Sequence, residues 1–114
     1  MVITFDKLPQ RELCIQNGIG ETHFRDLTDK EGLNGHGRLF AHLTLDPGKT
    51  FGYHMHQNET EYFYILKGEG VLIDNGEEVV VHPGDFCVTG HNESHGVENR
   101  SNEPLELIAL ILSK

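Results

Sequence analysis

A chain of 114 residues and 12.8 kDa has room for one compact domain with a single core. Eighteen acidic against nine basic side chains leave a formal charge of -9 and a pI near 5.2. Such a field repels phosphate backbones and anionic lipid, so the sequence predicts neither nucleic acid nor a membrane surface as partner. The longest apolar run, Leu107 to Leu112, is far too short for a transmembrane helix.

Residues 1 to 37 read as an extended, loop-rich arm. The first residues, Met1 to Asp6, lack the basic flank and long apolar stretch of a secretory signal. Asn17-Gly18, Ile19-Gly20, Gly32 and Asn34-Gly35-His36-Gly37 are turn signals, and Asp26 to Glu31 allows one helical turn at most. The arm is expected to pack on the remainder, 38–114, or on a partner subunit.

From Arg38 onward the pattern becomes strand, turn, strand. Arg38 to Leu45 alternates, with Leu39, Ala41, Leu43 and Leu45 on one face. Asp46-Pro47-Gly48 turns the chain, and Phe51 to His56 and Glu61 to Lys67 follow as strands. Val71 to Ile73 and Glu78 to Val81 flank Asn75-Gly76, the strongest hairpin dipeptide present. After Pro83-Gly84-Asp85, the segments Phe86 to Thr89, His95 to Asn99 and Leu105 to Leu112 complete about eight short strands. That rhythm predicts an all-β sandwich, jelly roll or closed barrel. Tyr62, Tyr64 and Leu66, opposite in parity to Phe63 and Ile65, make a strand that is apolar on both faces. Something must cover its second face. The arm folding back is one reading, and a homodimer interface is the other and the preferred one.

Histidine is the residue that stands out, with eight copies, while Cys14 and Cys87 are the sole cysteines and form no C-x-x-C pair. A disulfide framework and a thiolate zinc site are both unsupported, and reduced thiols in a cytoplasmic setting are the default. His54-x-His56 on a strand places both imidazoles on one face, roughly 7 Å apart between Cα atoms. If Gln57 to Thr60 closes a hairpin, His56 lies across from Glu61, and His54 across from Phe63. Two imidazoles and a carboxylate then converge over an apolar floor of Phe63 and Ile65. Neutral imidazole plus carboxylate suits one divalent ion, Mn, Fe, Zn or Ni, with positions left open for water or substrate.

Gly48, five residues, His54-x-His56, four residues, Glu61, six residues and Gly68 reproduce the first motif of the cupin superfamily without substitution. The second motif is matched by Gly84, His95 and Asn99, with Gly90 where proline is usual and Asn92 where glycine is usual. Over roughly Gly35 to Leu112 the chain thus resembles a small single-domain cupin. The resemblance implies a double-stranded β-helix, a jelly-roll barrel holding one metal through His54, His56, Glu61 and His95. It alone places His95 with the other three. Cys87 and His91 are further candidates to line the site, with Cys87 expected as a buried, inert thiol. Glu59 and Glu93 flank the site as surface charges or as an acid/base pair. His42 is read as outward or interfacial, and His23, His36 and His82 as solvated.

The function expected from the resemblance is a metal-dependent enzyme on a small polar molecule, of the oxygenase or decarboxylase type. A non-catalytic sensor or binding protein for a small ligand is the alternative, as is a sugar isomerase or lyase. The fold by itself does not choose among them.

Overall fold

The alternation seen in the sequence becomes ten β-strands and one 3-10 turn, Phe5–Lys7, in a computed structural model describing residues 1–114. In chain order the strands are β1 Gln10–Leu13, β2 Thr22–Thr28, β3 Gly37–Leu45, β4 Thr50–Met55 and β5 Glu59–Lys67. They continue as β6 Gly70–Asp74, β7 Glu77–Val81, β8 Phe86–Thr89, β9 Ser94–Glu98 and β10 Leu105–Ser113. Two antiparallel sheets form, a six-stranded one ordered β1-β2-β3-β10-β5-β8 and a four-stranded one ordered β4-β9-β6-β7. The fold is the all-β double-stranded β-helix. All eight predicted strands from residue 37 onward are present, each with bounds within two residues of the expectation.

The core lies between the sheets and follows the predicted parity. Ala41, Leu43 and Leu45 of β3, Phe63 and Ile65 of β5, and Leu105, Leu107 and Ala109 of β10 all point inward. Phe51, Leu72 and Val97 meet them from the four-stranded sheet. Burying a Leu or Phe side chain of this kind contributes about 1.5–3 kcal/mol. Asn75 and Gly76 both take positive φ in a two-residue turn between Asp74 and Glu77, as the hairpin dipeptide predicts. Gly68 is required twice over: its φ is +84°, and an added Cβ would stand 2.3 Å from the Pro104 carbonyl oxygen.

Two strands, β1 and β2, were not expected. Phe24 is the one large buried side chain of β2, and turn signals border both strands, so no alternation announces them. Pairing with β3 makes β2 a strand, through His23↔Thr44, Phe24↔Leu43 and Arg25↔His42. The arm thus extends the edge of the six-stranded sheet. Its start also covers part of the outer face, where the Phe5 ring meets His42 edge-on at 5.2 Å and Arg25 stacks on Phe5 at 5.0 Å. Farther along that face, Tyr62 stacks on Phe86 while Tyr64, Leu66 and Val88 remain exposed.

Candidate metal centre

Four side chains from both sheets meet at one end of the barrel, but not through the expected hairpin. β4 and β5 do not pair at all: β4 runs beside β9, and β5 lies between β10 and β8. The chain leaves the strand at His56 and changes sheet within Gln57 and Asn58, the latter at a φ of 59°. Glu61 therefore faces His54 and His56 across the barrel interior rather than along a ladder. His95 is the direct cross-strand partner of His54 in the β4–β9 ladder. The His56 backbone is fixed by the second-motif loop, its N–H donating to Glu93 and its carbonyl accepting from Asn92.

One ligand atom from each of His54, His56, Glu61 and His95 falls within 4.8 Å of all the others. The Nε2 of His56 lies 3.0 Å from the Nε2 of both His54 and His95. Glu61 Oε1 is 3.0 Å from the same nitrogen of His56 and of His95. His56, Glu61 and His95 are buried, and His54 is partly exposed. Each ring is oriented from its far side: His54 Nδ1 donates to the Gly52 carbonyl at 2.6 Å, His56 Nδ1 contacts Glu59 Oε2 at 2.5 Å, and His95 Nδ1 contacts Thr89 Oγ1 at 2.8 Å. Such outer partners fix tautomer and aim in metal-binding imidazoles.

This arrangement demands a positive centre. A carbonyl only accepts, so the His54 proton sits on Nδ1 and its Nε2 carries a lone pair. Glu59, an anion held down to about 2 by the Arg38 guanidinium first and by His56 as well, fixes His56 in the same tautomer. Two lone pairs then face each other at 3.0 Å beside a buried carboxylate, which is repulsive unless a cation stands between them. A proton answers part of that demand. The hydrogen bond to Glu61 raises His56 and outweighs the cost of burial. Burial would raise Glu61, yet its bonds to His56 and His95 bring it below the usual carboxylate range. His54 is lowered, chiefly by burial. A divalent ion meets the demand of the whole set, and three imidazoles with one carboxylate suit Mn, Fe, Ni or Zn.

The other candidates fall in different places. Phe63 stacks flat against His95 at 5.1 Å and 6°. Ile65 and Cys87 lie in the core, where burial pushes the Cys87 thiol up to about 11. His91 is exposed, and its Nδ1 accepts the Asn58 N–H at 2.8 Å. His23 is held between Glu12 and Asp46, His42 is paired with Glu106 and His82 with Glu69. His54, His56 and Glu61 open into a cavity of about 360 Å³, walled also by Arg38 and Leu39 of β3, Ile111 of β10, and Arg11, Leu13 and Gln16 of the arm.

Both departures in the second motif are accommodated locally. Asn92 adopts a φ of 65°, the left-handed region that glycine would supply and asparagine tolerates. The Gly90 N–H, which a proline would lack, donates to Glu93 Oε1 at 2.7 Å. Glu93 Oε2 accepts from Asn75 Nδ2 at 3.2 Å, so this carboxylate stitches the loop to the β6–β7 turn. Sequence reasoning missed Thr89 and Arg38. Thr89 shares the inward parity of Cys87 on β8, a signal that could have found it.

Residues 41–111 match the model of the Cupin domain family. The chain is a cupin. Over 104 residues this cupin is 43% identical to an oxalate-binding protein of Thermotoga maritima, a match that covers 91% of this chain and 86% of that protein. A crystal structure of a predicted oxalate decarboxylase from Thermotoga maritima superposes with a TM-score of 0.95 at 39% identity, covering 100% of both chains. A sugar phosphate isomerase of the cupin superfamily from Silicibacter pomeroyi gives a TM-score of 0.80 at 19% identity, over 100% of this chain and 76% of that one. The last likeness is one of fold alone.

Proposed function

We propose that this cupin holds one divalent ion, Mn, Fe, Zn or Ni, through His54, His56, Glu61 and His95, and uses it to bind a small dicarboxylic acid of the oxalate class. The observation that carries the reading is the meeting of three Nε2 atoms and one carboxylate oxygen at the end of a partly open cavity. A bound divalent ion with four protein ligands keeps open positions that attract a carboxylate and polarise it. The chain's own part is to aim the rings through Gly52, Glu59 and Thr89, to exclude bulk water with Leu39 and Ile111, and to roof the cavity with the arm, residues 1–37, above the barrel, residues 38–114. The similarity to the oxalate-binding protein supports the ligand class.

Binding without turnover is the reading the polar groups favour. Decarboxylation or oxygenation needs a proton donor or acceptor beside the bound acid, and both nearby carboxylates outside the cluster are engaged, Glu59 by Arg38 and His56, Glu93 by Gly90 and Asn75. Turnover is the second reading, because His54, His56 and Glu61 line the cavity where a substrate would sit. Titrating Mn-loaded protein with oxalate is expected to show one saturable site that disappears in metal-free protein. Formate and CO₂ assays on the same sample separate the two readings. Full metal loading with no oxalate binding would overturn the ligand class.

No helix is long and apolar enough to cross a membrane, and both cysteines are free. Free thiols support a cytoplasmic setting. The exposed Tyr64, Leu66, Phe86 and Val88 on the β5–β8 face support a homodimer through that face. Light scattering is expected to give twice 12.8 kDa, and a monomer mass would refute the pairing.

A further inference from the structure

The cavity onto which His54, His56 and Glu61 open carries two arginines in its wall that the metal set does not use. Arg38 sits where β10 changes register on β3: Ile111 pairs with Leu39 and Leu112 with Gly37, which leaves Arg38 as the extra residue of a β-bulge. Strict alternation would send it outward with Phe40 and His42. A bulge bends the strand and re-aims the extra side chain, and Arg38 instead lines the cavity beside His54, His56 and Glu61. Its Nε and Nη2 fork onto Glu59 at 2.8 Å each, and Nη1 has no protein acceptor. Arg11, reaching the same cavity from β1, repeats the pattern. Its Nε and Nη2 bind Asp26 at 2.7 and 3.1 Å, its guanidinium lies 4.2 Å above the Phe24 ring, and Nη1 is again free.

Each guanidinium is thus locked in place by a carboxylate and keeps one directional pair of N–H donors. Glu59 raises Arg38 most, and Glu61 adds to it, which sets the guanidinium within electrostatic reach of the ligand cluster. The charge balance gives those donors a purpose. A divalent ion beside Glu61 leaves one positive charge, enough to neutralise a monocarboxylate. A dicarboxylate brings one further negative charge into the cavity, where fixed N–H donors can receive it.

We propose that Arg38 and Arg11 receive, through Nη1, the carboxylate oxygens of a small dicarboxylate that the metal leaves unused, and so select two-carboxylate over one-carboxylate ligands. This rests on the small-acid reading of the site and names the residues that set its specificity.

Calorimetric titration of Mn-loaded protein with oxalate, and separately with acetate, tests it. Arg38→Gln and Arg11→Gln are each expected to weaken oxalate by about tenfold to a hundredfold, the effect of losing a charged hydrogen bond. In Arg11→Gln, acetate affinity and Mn stoichiometry should stay within about threefold of wild type. In Arg38→Gln, which also frees Glu59, the ratio of oxalate to acetate affinity on Mn-loaded protein is the readout and should fall about tenfold or more. Both side chains are half-exposed, so the variants should fold, and Arg38→Lys, which keeps the charge, should recover part of the oxalate affinity. Equal oxalate affinity in wild type and both glutamine variants would overturn the assignment while leaving the small-acid reading intact. Parallel loss of acetate, oxalate and Mn would also overturn it, since Arg38 would then act only through Glu59 and His56. A wild-type protein that loads Mn yet binds neither acid would end the small-acid reading, and this inference with it.

Discussion

His56→Ala is expected to lower divalent-metal affinity by more than a hundredfold. Of the four residues proposed as ligands His56 has the most connections, with 3.0 Å contacts from its Nε2 to His54, His95 and Glu61 and the Glu59 bond on its far side. Glu59→Gln is the informative companion, because it keeps the ligand and removes only the anion that fixes the ring. Loss of such an outer partner costs about 10–100-fold in affinity, and loss of the ligand itself should exceed that. Competition against a chromophoric chelator measures both. If His56→Ala retained wild-type affinity, the three-histidine assignment would be wrong.

Asn99→Ala is expected to be among the more damaging polar substitutions outside the four-residue cluster. Asn99 is 1% exposed, and its Nδ2 donates to the carbonyls of Leu45 and Glu103 at 2.8 Å each. Its Oδ1 accepts from the Ser101 N–H and hydroxyl, at 3.0 and 2.7 Å. One amide thereby ties the end of β3 to the loop between β9 and β10. Its backbone bonds to Gly48 and Lys49 hold the β3–β4 turn as well. A stranded buried polar group costs about 1–3 kcal/mol. The Leu45 carbonyl is left bare in the interior, whereas the Glu103 carbonyl keeps the Ser101 hydroxyl, so the total should be about 1–3 kcal/mol, a sizeable share of a typical domain's stability. At about 4 °C per kcal/mol for a chain of this size, the melting temperature should fall by about 4–12 °C. A fall of less than about 3 °C would show that Asn99 is not the clasp described.

The strands after residue 37 were legible because period-two alternation and turn dipeptides are local signals, and here they agree with one another. The convergence of His54, His56 and Glu61 was legible too, but for a mistaken reason. A hairpin and a pair of facing sheets bring those residues together equally well, and nothing between Gln57 and Thr60 tells the two apart. The position of His95 depends on β4–β9 pairing across some forty residues, so only the motif resemblance could supply it. β2 was hidden because Phe24 alone carries its inward face, and β3 provides the rest of the reason for its being a strand. Arg38 was hidden because its aim follows from a register shift in a partner strand near the other end of the chain. Glu59 reads from the sequence as a surface charge or as half of an acid/base pair, whereas Arg38 and His56 hold it behind the His56 ring.

The most direct test of the metal centre is elemental mass spectrometry of untagged protein that has met neither nickel resin nor chelator. Near one equivalent of a single divalent transition metal per chain is the predicted result, falling close to zero in His56→Ala. No metal in the purified protein, and none after reconstitution with Mn, Fe, Ni or Zn, would contradict the centre built from His54, His56, Glu61 and His95.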